Sequence, residues 1–169
     1  MFLHLKLLHV ICILCIVCNH ALKTKHSDIA VLEDIYNSTR GVYWDFANMR
    51  GASKYFGLTS TDGIDWNFTR DANNAYVVDP CLPKFQGVTC YCDSNTCEIE
   101  WLAPMAGNLN GTIPSSIGKL TSLKYLYMDF NNLYGSIPSA LGNLTKLLSI
   151  HLKKNSLTGS IPSEFGQLK

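Results

Sequence analysis

Apolar residues in the C-terminal half of the chain return at one fixed interval. The block Leu109–Pro114 recurs as Leu133–Pro138 and again as Leu157–Pro162, so the two intervals are equal. Apolar positions between the blocks keep the same interval, for example Leu126 and Ile150. A fixed period in the twenties is typical of a solenoid, in which each unit buries its apolar face only against its neighbours. We call the distance from Leu109 to Leu133 the repeat interval.

Each unit predicts one short strand followed by a bend. The segments 126–128 and 150–152 alternate apolar residues with residues that can be exposed. This period of two is typical of a half-buried strand. Asn131 and Asn155 follow these strands, and we expect their amides to turn inward and satisfy backbone groups of the bend. The glycine and proline in every block argue against a long helix.

The unit resembles the plant-type leucine-rich repeat, whose consensus carries the same Leu-x-Gly-x-Ile-Pro block. The resemblance covers residues 99–169. It implies an α/β-type solenoid, a right-handed coil with a parallel concave sheet, with about two and a half repeats. The unit that begins at Ile99 is irregular, because Pro104 and Gly107 stand where the repeat has an apolar residue and asparagine. This irregularity is typical of a capping repeat.

The part of the chain before the repeats divides into a leader and a cap. The segment 2–18 is apolar apart from two histidines and one lysine, which indicates a signal peptide over residues 1–21. The run is too short for a comfortable membrane span, and an uncleaved anchor is the alternative. Residues 22–98 form the predicted N-terminal cap, in which Ser27 would cap a helix that runs to about Tyr36.

The cap carries a second resemblance. Residues 30–44 are similar to the N-terminal flank of many leucine-rich repeat proteins of protists, algae and plants, in which a helix covers the first coil. A first coil without such a cover would expose its core to water. We expect Trp44 and Trp66 to lie in the cap core, and residues 49–56 to form a short helix, although residues 45–78 as a whole are poorly determined by the sequence.

Four cysteines lie together beyond the leader, which itself holds the other three of the seven. An even set in a secreted chain indicates disulfides, and four cysteines allow three pairings. A zinc site is the weaker alternative, because the chain has no C-x-x-C pairs among these four. The four are Cys81, Cys90, Cys92 and Cys97.

The segment 79–90 resembles the cysteine-cap motif of plant-type leucine-rich repeat proteins, with Phe85 where tryptophan is usual. The resemblance implies a bridge between Cys81 and Cys90. Cys92 and Cys97 then flank a short hairpin loop that they could close.

Charge and motifs limit the function classes. The net charge of +1 leaves no basic field for nucleic acid. The sequence has no G-x-S-x-G, no H-E-x-x-H, no phosphate loop and no dinucleotide motif. We therefore expect a protein that is not an enzyme and that uses no cofactor and no metal.

The predicted concave sheet carries the candidate binding site. Residues one repeat interval apart lie side by side on stacked strands, about 4.8 Å apart, so outward positions form columns that begin at Trp101, Ala103, Met105 and Ala106. Exposed aromatics on a rigid sheet are typical of recognition surfaces. We expect Asp129 and Lys153 to form a surface pair. The predicted ligand-binding residues are Trp101, Tyr125, Tyr127, Asp129, Phe130, His151, Lys153 and Lys154.

Asparagine sequons add a candidate modification. With a signal peptide they become glycan sites, and Asn143 would lie on the convex side of its coil and leave the strand face bare. The four sequons begin at Asn37, Asn67, Asn110 and Asn143.

These features favour a secreted or cell-surface recognition module that binds a protein, peptide or glycan on its concave face. The alternatives are an inhibitor of a secreted polysaccharide hydrolase and the truncated ectodomain of a receptor, even a receptor kinase. Membrane attachment would come only from a signal anchor or a missing C-terminal part. Because no C-terminal cap follows Leu168, we also expect marginal stability or self-association through the edge formed by Phe165 and Leu168.

Overall fold

The computed structural model describes residues 23–45, 49, 72, 81, 87–93 and 96–168. Several predicted features lie outside these residues: the signal peptide, Trp66, Asn67, Phe85 and all of the predicted 49–56 helix except Met49. The regular elements are β1 (Lys23–Thr24), α1 (His26–Ser38), β2 (Val88–Cys92), β3 (Thr96–Leu102), β4 (Asn110–Gly111), β5 (Tyr125–Tyr127), β6 (Asn132–Ser136), β7 (Ser149–His151) and β8 (Ser156–Thr158). Short 3₁₀ turns lie at Gly41–Tyr43, Ser115–Lys119, Ser139–Asn143 and Ser163–Gln167.

The predicted parallel sheet is confirmed. Strands β3, β5 and β7 pair in parallel, and Trp101 lies beside Tyr125, which lies beside Ser149. Strand β2 pairs with β3 in antiparallel register and forms a hairpin with it. Strand β3 therefore belongs both to the hairpin of the cap and to the first coil of the solenoid.

A second parallel sheet follows the bends. Strand β6 pairs with β4 on one side and with β8 on the other, and Gly135 lies beside Leu157. Partners in this sheet lie two residues closer along the chain than partners in the concave sheet, where Leu126 lies beside Ile150. Because side chains alternate with a period of two, a shift of two residues keeps every side chain on its own face.

The core follows the predicted leucine positions. Leu102, Leu126 and Leu120 are fully buried, and the inward side chains of successive coils form one hydrophobic cluster. We number the coils by their concave strands: the first coil is residues 99–122, the second is 123–146 and the third is 147–168. In the third coil the equivalent side chains, such as Ile150, are only partly buried.

The inward asparagines are confirmed. Asn131 is 7% exposed, and its Oδ1 accepts hydrogen bonds from the backbone N–H groups of Gly107 and Leu109, at 3.0 and 3.1 Å. Its Nδ2 donates to the carbonyl oxygens of Pro104, Met128 and Asp129. One amide thereby forms hydrogen bonds with five backbone groups of two successive coils.

Two glycines allow the 3₁₀ turns to stack closely. A Cβ placed on Gly118 would lie 2.4 Å from the carbonyl oxygen of Ala140, and one on Gly142 would lie 2.6 Å from that of Glu164. Such distances require backbone movement, so neighbouring coils can approach this closely only where the side chain is a hydrogen atom.

Helix α1 covers the first coil as the flank resemblance implied. The helix begins one residue before the expected cap: Ser27 lies inside the first turn and bonds the side chain of Asp28. The role predicted for Ser27 is therefore wrong. Asp28 is 5% exposed, and its Oδ2 accepts a hydrogen bond of 3.3 Å from the backbone N–H of Ile99 in β3. This contact ties the helix to the sheet.

The C-terminal end of α1 packs against β4 of the first coil. A Cβ on Gly111 would lie 1.9 Å from the carbonyl oxygen of Ser38, so the helix rests directly on β4. Trp44 is 7% exposed and its Nε1 donates to the carbonyl oxygen of Thr39, at 3.1 Å. The expectation that Trp44 belongs to the cap core is confirmed.

Both disulfides are present. Cys81 is bonded to Cys90, and Cys92 is bonded to Cys97 across the β2–β3 hairpin. The alternative of a zinc site on these four cysteines is therefore wrong, because every thiolate ligand is used in a cystine.

Candidate functional site

Four aromatic rings form a continuous stack on the concave sheet. Trp101 stacks on Tyr125 with ring centroids 4.4 Å apart, because parallel pairing places these residues side by side. Tyr127 contacts Trp101 edge to face at 5.6 Å, and it stacks on His151 at 4.4 Å. The stack crosses strands β3, β5 and β7 and confirms that Trp101, Tyr125, Tyr127 and His151 lie together.

The rings leave edges and partial faces towards solvent. Trp101, Tyr125 and Tyr127 are half-buried, and the His151 side chain is 44% exposed. Trp101 Nε1 is buried and has no hydrogen-bond partner among the described residues. A surface of this kind offers apolar contact area with little conformational freedom to lose, which favours recognition of another molecule.

Asp129 does not lie on the surface, and the predicted surface pair with Lys153 is wrong. Its side chain is 0% exposed, and its Oδ1 accepts a hydrogen bond of 2.8 Å from the backbone N–H of Lys153 rather than from Nζ. Ala103 and Met105 are also buried, at 1% and 0%. The cause is the length of the strands: β5 ends at Tyr127, so the outward alternation stops before residue 129.

The carboxylate of Asp129 lies beneath His151. Asp129 Oδ2 lies 3.5 Å from His151 Nδ1, and the ring of His151 is packed against Tyr127. This oxygen is buried and has no hydrogen-bond partner among the described residues. With Nδ1 directed at the carboxylate, the imidazole presents its Nε2 edge away from Asp129.

Phe130 and Lys154 lie at the rim of the sheet, just beyond the strands. Their φ angles are 56° and 57°, and the equivalent Ala106 has 54°. This left-handed conformation is unfavourable for residues with a Cβ, and the inward asparagines that follow in the second and third coils hold it in place. Lys153 Nζ lies 5.7 Å from the centre of the Phe130 ring, a cation–π contact at this rim.

Sequence reasoning missed a further column of the sheet. Glu100 in β3 and Lys124, directly before β5, form an ion pair of 2.6 Å. The hydrogen bond to this carboxylate raises the pKa of Lys124. Leu148, the next residue in this column, is 66% exposed. The repeat interval, applied to Glu100, would have found all three.

A second ion pair lies at the start of the sheet. Lys25 Nζ bonds Glu98 at 2.5 Å, and the other oxygen of Glu98 accepts a hydrogen bond from Ser122. The hydrogen bonds from Lys25 and from Ser122 lower the pKa of Glu98. Lys146, one coil further on, lies 3.4 Å from the Ser122 hydroxyl. Both carboxylates of β3, those of Glu98 and Glu100, are thus already paired.

The described residues hold no group of histidine, cysteine and carboxylate side chains that could bind a metal ion. Within the same residues, none of the helices has the length and apolar character needed to cross a bilayer.

The sequence matches the family model of the leucine-rich repeat over residues 122–144 and 146–168. No curated protein matches the chain. Among solved structures, the chain is similar to the leucine-rich repeat ectodomain of the receptor kinase SOBIR1 from Arabidopsis thaliana. The identity is 23% and the TM-score 0.59 over 87% of this chain and 64% of that one.

Two other solved structures are similar at higher identity. PEPR1–AtPEP1 has 29% identity and a TM-score of 0.57, over 86% of this chain and 17% of the other. The BIR3–SERK2 complex from Arabidopsis thaliana has 26% identity and a TM-score of 0.56, over 83% and 62%. The chain therefore spans less than two thirds of each of these structures' chains.

The matched residues and the similar structures together show that the described chain has the leucine-rich repeat solenoid fold, with a disulfide-bonded N-terminal hairpin.

Proposed function

We propose that this protein is an extracellular ligand-binding module that binds a protein or peptide on its concave sheet. The observation that carries the proposal is the aromatic stack of Trp101, Tyr125, Tyr127 and His151. Aromatic residues are enriched at protein interfaces because they supply a large contact area at low entropic cost. Phe130, Lys153 and Lys154 extend the proposed site along the rim, and Asp129 lies beneath His151.

A receptor ectodomain is the most specific form of this proposal. The solved structures that share the fold include a receptor-kinase ectodomain and two structures with paired components, PEPR1–AtPEP1 and BIR3–SERK2. Two disulfides and the predicted signal peptide support an extracellular location. The full-length transcript tests this form directly, since a receptor of this kind requires a membrane anchor encoded beyond residue 169.

The experiment is a selection from a random peptide library displayed on phage, with the oxidised, secreted protein as bait. The double variant Y125A/Y127A removes the centre of the stack. Tyr134→Ala is the matched control, because Tyr134 is 47% exposed on β6, away from the concave sheet. We expect Y125A/Y127A to weaken binding of the selected peptides by about tenfold or more, and Tyr134→Ala to leave it unchanged.

Unchanged binding by Y125A/Y127A, with folding verified by circular dichroism, would contradict a concave binding site. The hydrolase-inhibitor alternative is separated by a second assay. The purified protein is added to secreted polysaccharide hydrolases, and inhibition that survives in Y125A/Y127A would replace the present proposal with that alternative.

Glycosylation is part of the proposal for the extracellular protein. Asn37 and Asn143 are exposed, at the end of α1 and on a 3₁₀ turn, whereas Asn110 is half-buried within β4. We propose that Asn37 and Asn143 carry glycans and that neither glycan covers the concave sheet. Mass spectrometry of the secreted protein, before and after enzymatic release of N-glycans, tests each site.

A further inference from the structure

The cationic side chains of the third coil lack acidic partners. Lys153 and Lys154 are exposed, and within the residues that the structure describes neither ammonium group forms an ion pair. Lys153 Nζ instead lies over the ring of Phe130. His151 is the last residue of β7, and its side chain is 44% exposed. Lys153 and Lys154 therefore follow His151 closely in the chain, at the end of β7 in the third coil.

The buried carboxylate of Asp129 pairs with neither lysine ammonium group. One oxygen of the carboxylate accepts from the Lys153 backbone N–H and the other lies towards His151 Nδ1, so neither reaches an ammonium group. A surface carboxylate at this position would neutralise Lys153. Its actual place, 0% exposed beneath the surface, keeps the ammonium groups available to a ligand.

The opposite end of the sheet holds its charges in ion pairs. Glu98 is paired with Lys25, and Glu100 with Lys124. The positive charge of Lys146 also acts on Glu98 and contributes to lowering its pKa. The concave surface is therefore asymmetric along the solenoid axis: the carboxylates of β3 are paired with lysines, whereas Lys153 and Lys154 form no ion pair with the described residues.

We propose that the ligand of the concave face is a peptide with a carboxylate group that binds at Lys153, Lys154 and His151, and with an apolar or aromatic side chain that packs on Trp101 and Tyr125. This inference rests on the proposed function and specifies its ligand. Strands β3 and β7 are two strand spacings apart, about 10 Å. Lys153 also lies four residues beyond Ser149, the residue of β7 in register with Trp101 and Tyr125, which adds about 13 Å along the strand direction. The two groups should therefore lie about 16 Å apart, or about five residues of extended peptide.

The peptide selection described above tests this inference when it is run in parallel on three baits. These are the wild type, the charge reversal K153E/K154E and the control Lys119→Glu. Lys119 is an exposed lysine at the end of a 3₁₀ turn, away from the concave strands. We expect peptides from the wild type to be enriched in Asp or Glu about five residues from an aromatic residue. K153E/K154E should lose the acidic enrichment and keep the aromatic one, and Lys119→Glu should match the wild type.

A selected peptide and its Asp→Asn or Glu→Gln counterpart are then compared by calorimetry. We expect the neutral counterpart to bind the wild type about tenfold more weakly, and this difference to shrink at high salt, because exposed charges are screened. With K153E/K154E the two peptides should bind alike.

Three outcomes overturn the inference. Enriched peptides without acidic residues would refute the charge selection and leave the proposed function intact. A failure of every bait to enrich any peptide would refute the proposed function itself. Binding of polyuronate fragments in a lysine-dependent manner, without any peptide, would show that an acidic glycan and not a peptide occupies the site.

Discussion

The second and third coils carry matching apolar residues and asparagines at their inward positions, yet these residues are held with different strength. Leu126 is fully buried, whereas its equivalent Ile150 is only partly buried. Asn131 makes five hydrogen bonds to backbone groups, whereas Asn155 makes four, one of them at 3.4 Å. The second coil packs between two described coils and the third packs against one. A repeat residue thus has no stability value of its own, since its contribution depends on the coils beside it.

Truncation of the central leucine should give the largest difference between the coils. Leu126→Ala leaves a cavity in a site that is closed on both sides, and we expect it to cost about 3–5 kcal/mol. Ile150→Ala should cost about 2 kcal/mol or less, because its site is partly solvated already. Denaturant unfolding of the oxidised protein measures both. Equal costs would mean that the third coil is covered in solution.

Replacement of the inward asparagines should also destabilise the protein more in the second coil than in the third, but by less than the leucine replacement. Asn131→Ala leaves buried N–H and carbonyl groups without partners, and we expect a cost of about 2–4 kcal/mol. Asn155→Ala should cost about half as much, since water can reach the groups around it. Hydrogen exchange at the amides of Gly107 and Leu109 provides a local readout, because both donate to Asn131. Unchanged protection of these two amides in Asn131→Ala would contradict the assigned role.

The glycines of the 3₁₀ turns give a sharper contrast, since one of them is a built-in control. Gly142→Ala places its Cβ 2.6 Å from the carbonyl oxygen of Glu164, and we expect a cost of about 1–3 kcal/mol. Gly166 occupies the equivalent place in the third coil and has no atom within 4 Å of such a Cβ. Gly166→Ala should therefore be neutral or slightly stabilising. Thermal unfolding of the two variants decides this, and a destabilised Gly166→Ala would indicate a neighbour packed on that turn.

At the junction of the cap with the first coil, the backbone N–H of Ile99 donates to the carboxylate of Asp28. In the repeats, backbone N–H groups donate instead to a neutral side-chain amide, such as that of Asn131. Burial raises the pKa of Asp28 above its ordinary value of 3.8, even though the hydrogen bond from Ile99 opposes the shift. An acid with a raised folded-state pKa favours folding most at low pH, where it is protonated in both states. Its unfavourable contribution develops as the pH rises from 3.8 through the raised value and persists above it.

Asp28→Asn keeps an oxygen acceptor and removes the charge. We expect this variant to be at least as stable as the wild type at neutral pH, with an advantage that disappears below about pH 4. Asp28→Ala, which loses the acceptor as well, should cost about 1–2 kcal/mol. Urea unfolding across this pH range measures the differences. An advantage of Asp28→Asn that grows towards low pH would have the wrong sign and would refute the assignment.

Much of the fold could be predicted from the spacing of residues. Leu126, Asn131 and the paired cysteines behave as their positions indicated, because each depends on local geometry that a repeat reproduces or, for Cys81 and Cys90, that the family resemblance implied. The site was predicted less well. The aromatic stack followed from the repeat interval, but Asp129 was placed on the wrong face, since nothing local to the sequence shows that β5 ends at Tyr127.

The solenoid follows from the order of residues alone, because hydrophobic residues at one interval can be buried together only if each turn of the chain stacks on the next. Where the strands stop, which coil is buried on both sides and which charges remain unpaired were settled only in the folded molecule. Those outcomes depend on distances between residues far apart in the chain, such as Asp28 and Ile99 or Asp129 and His151. No pattern along a single segment contains these distances.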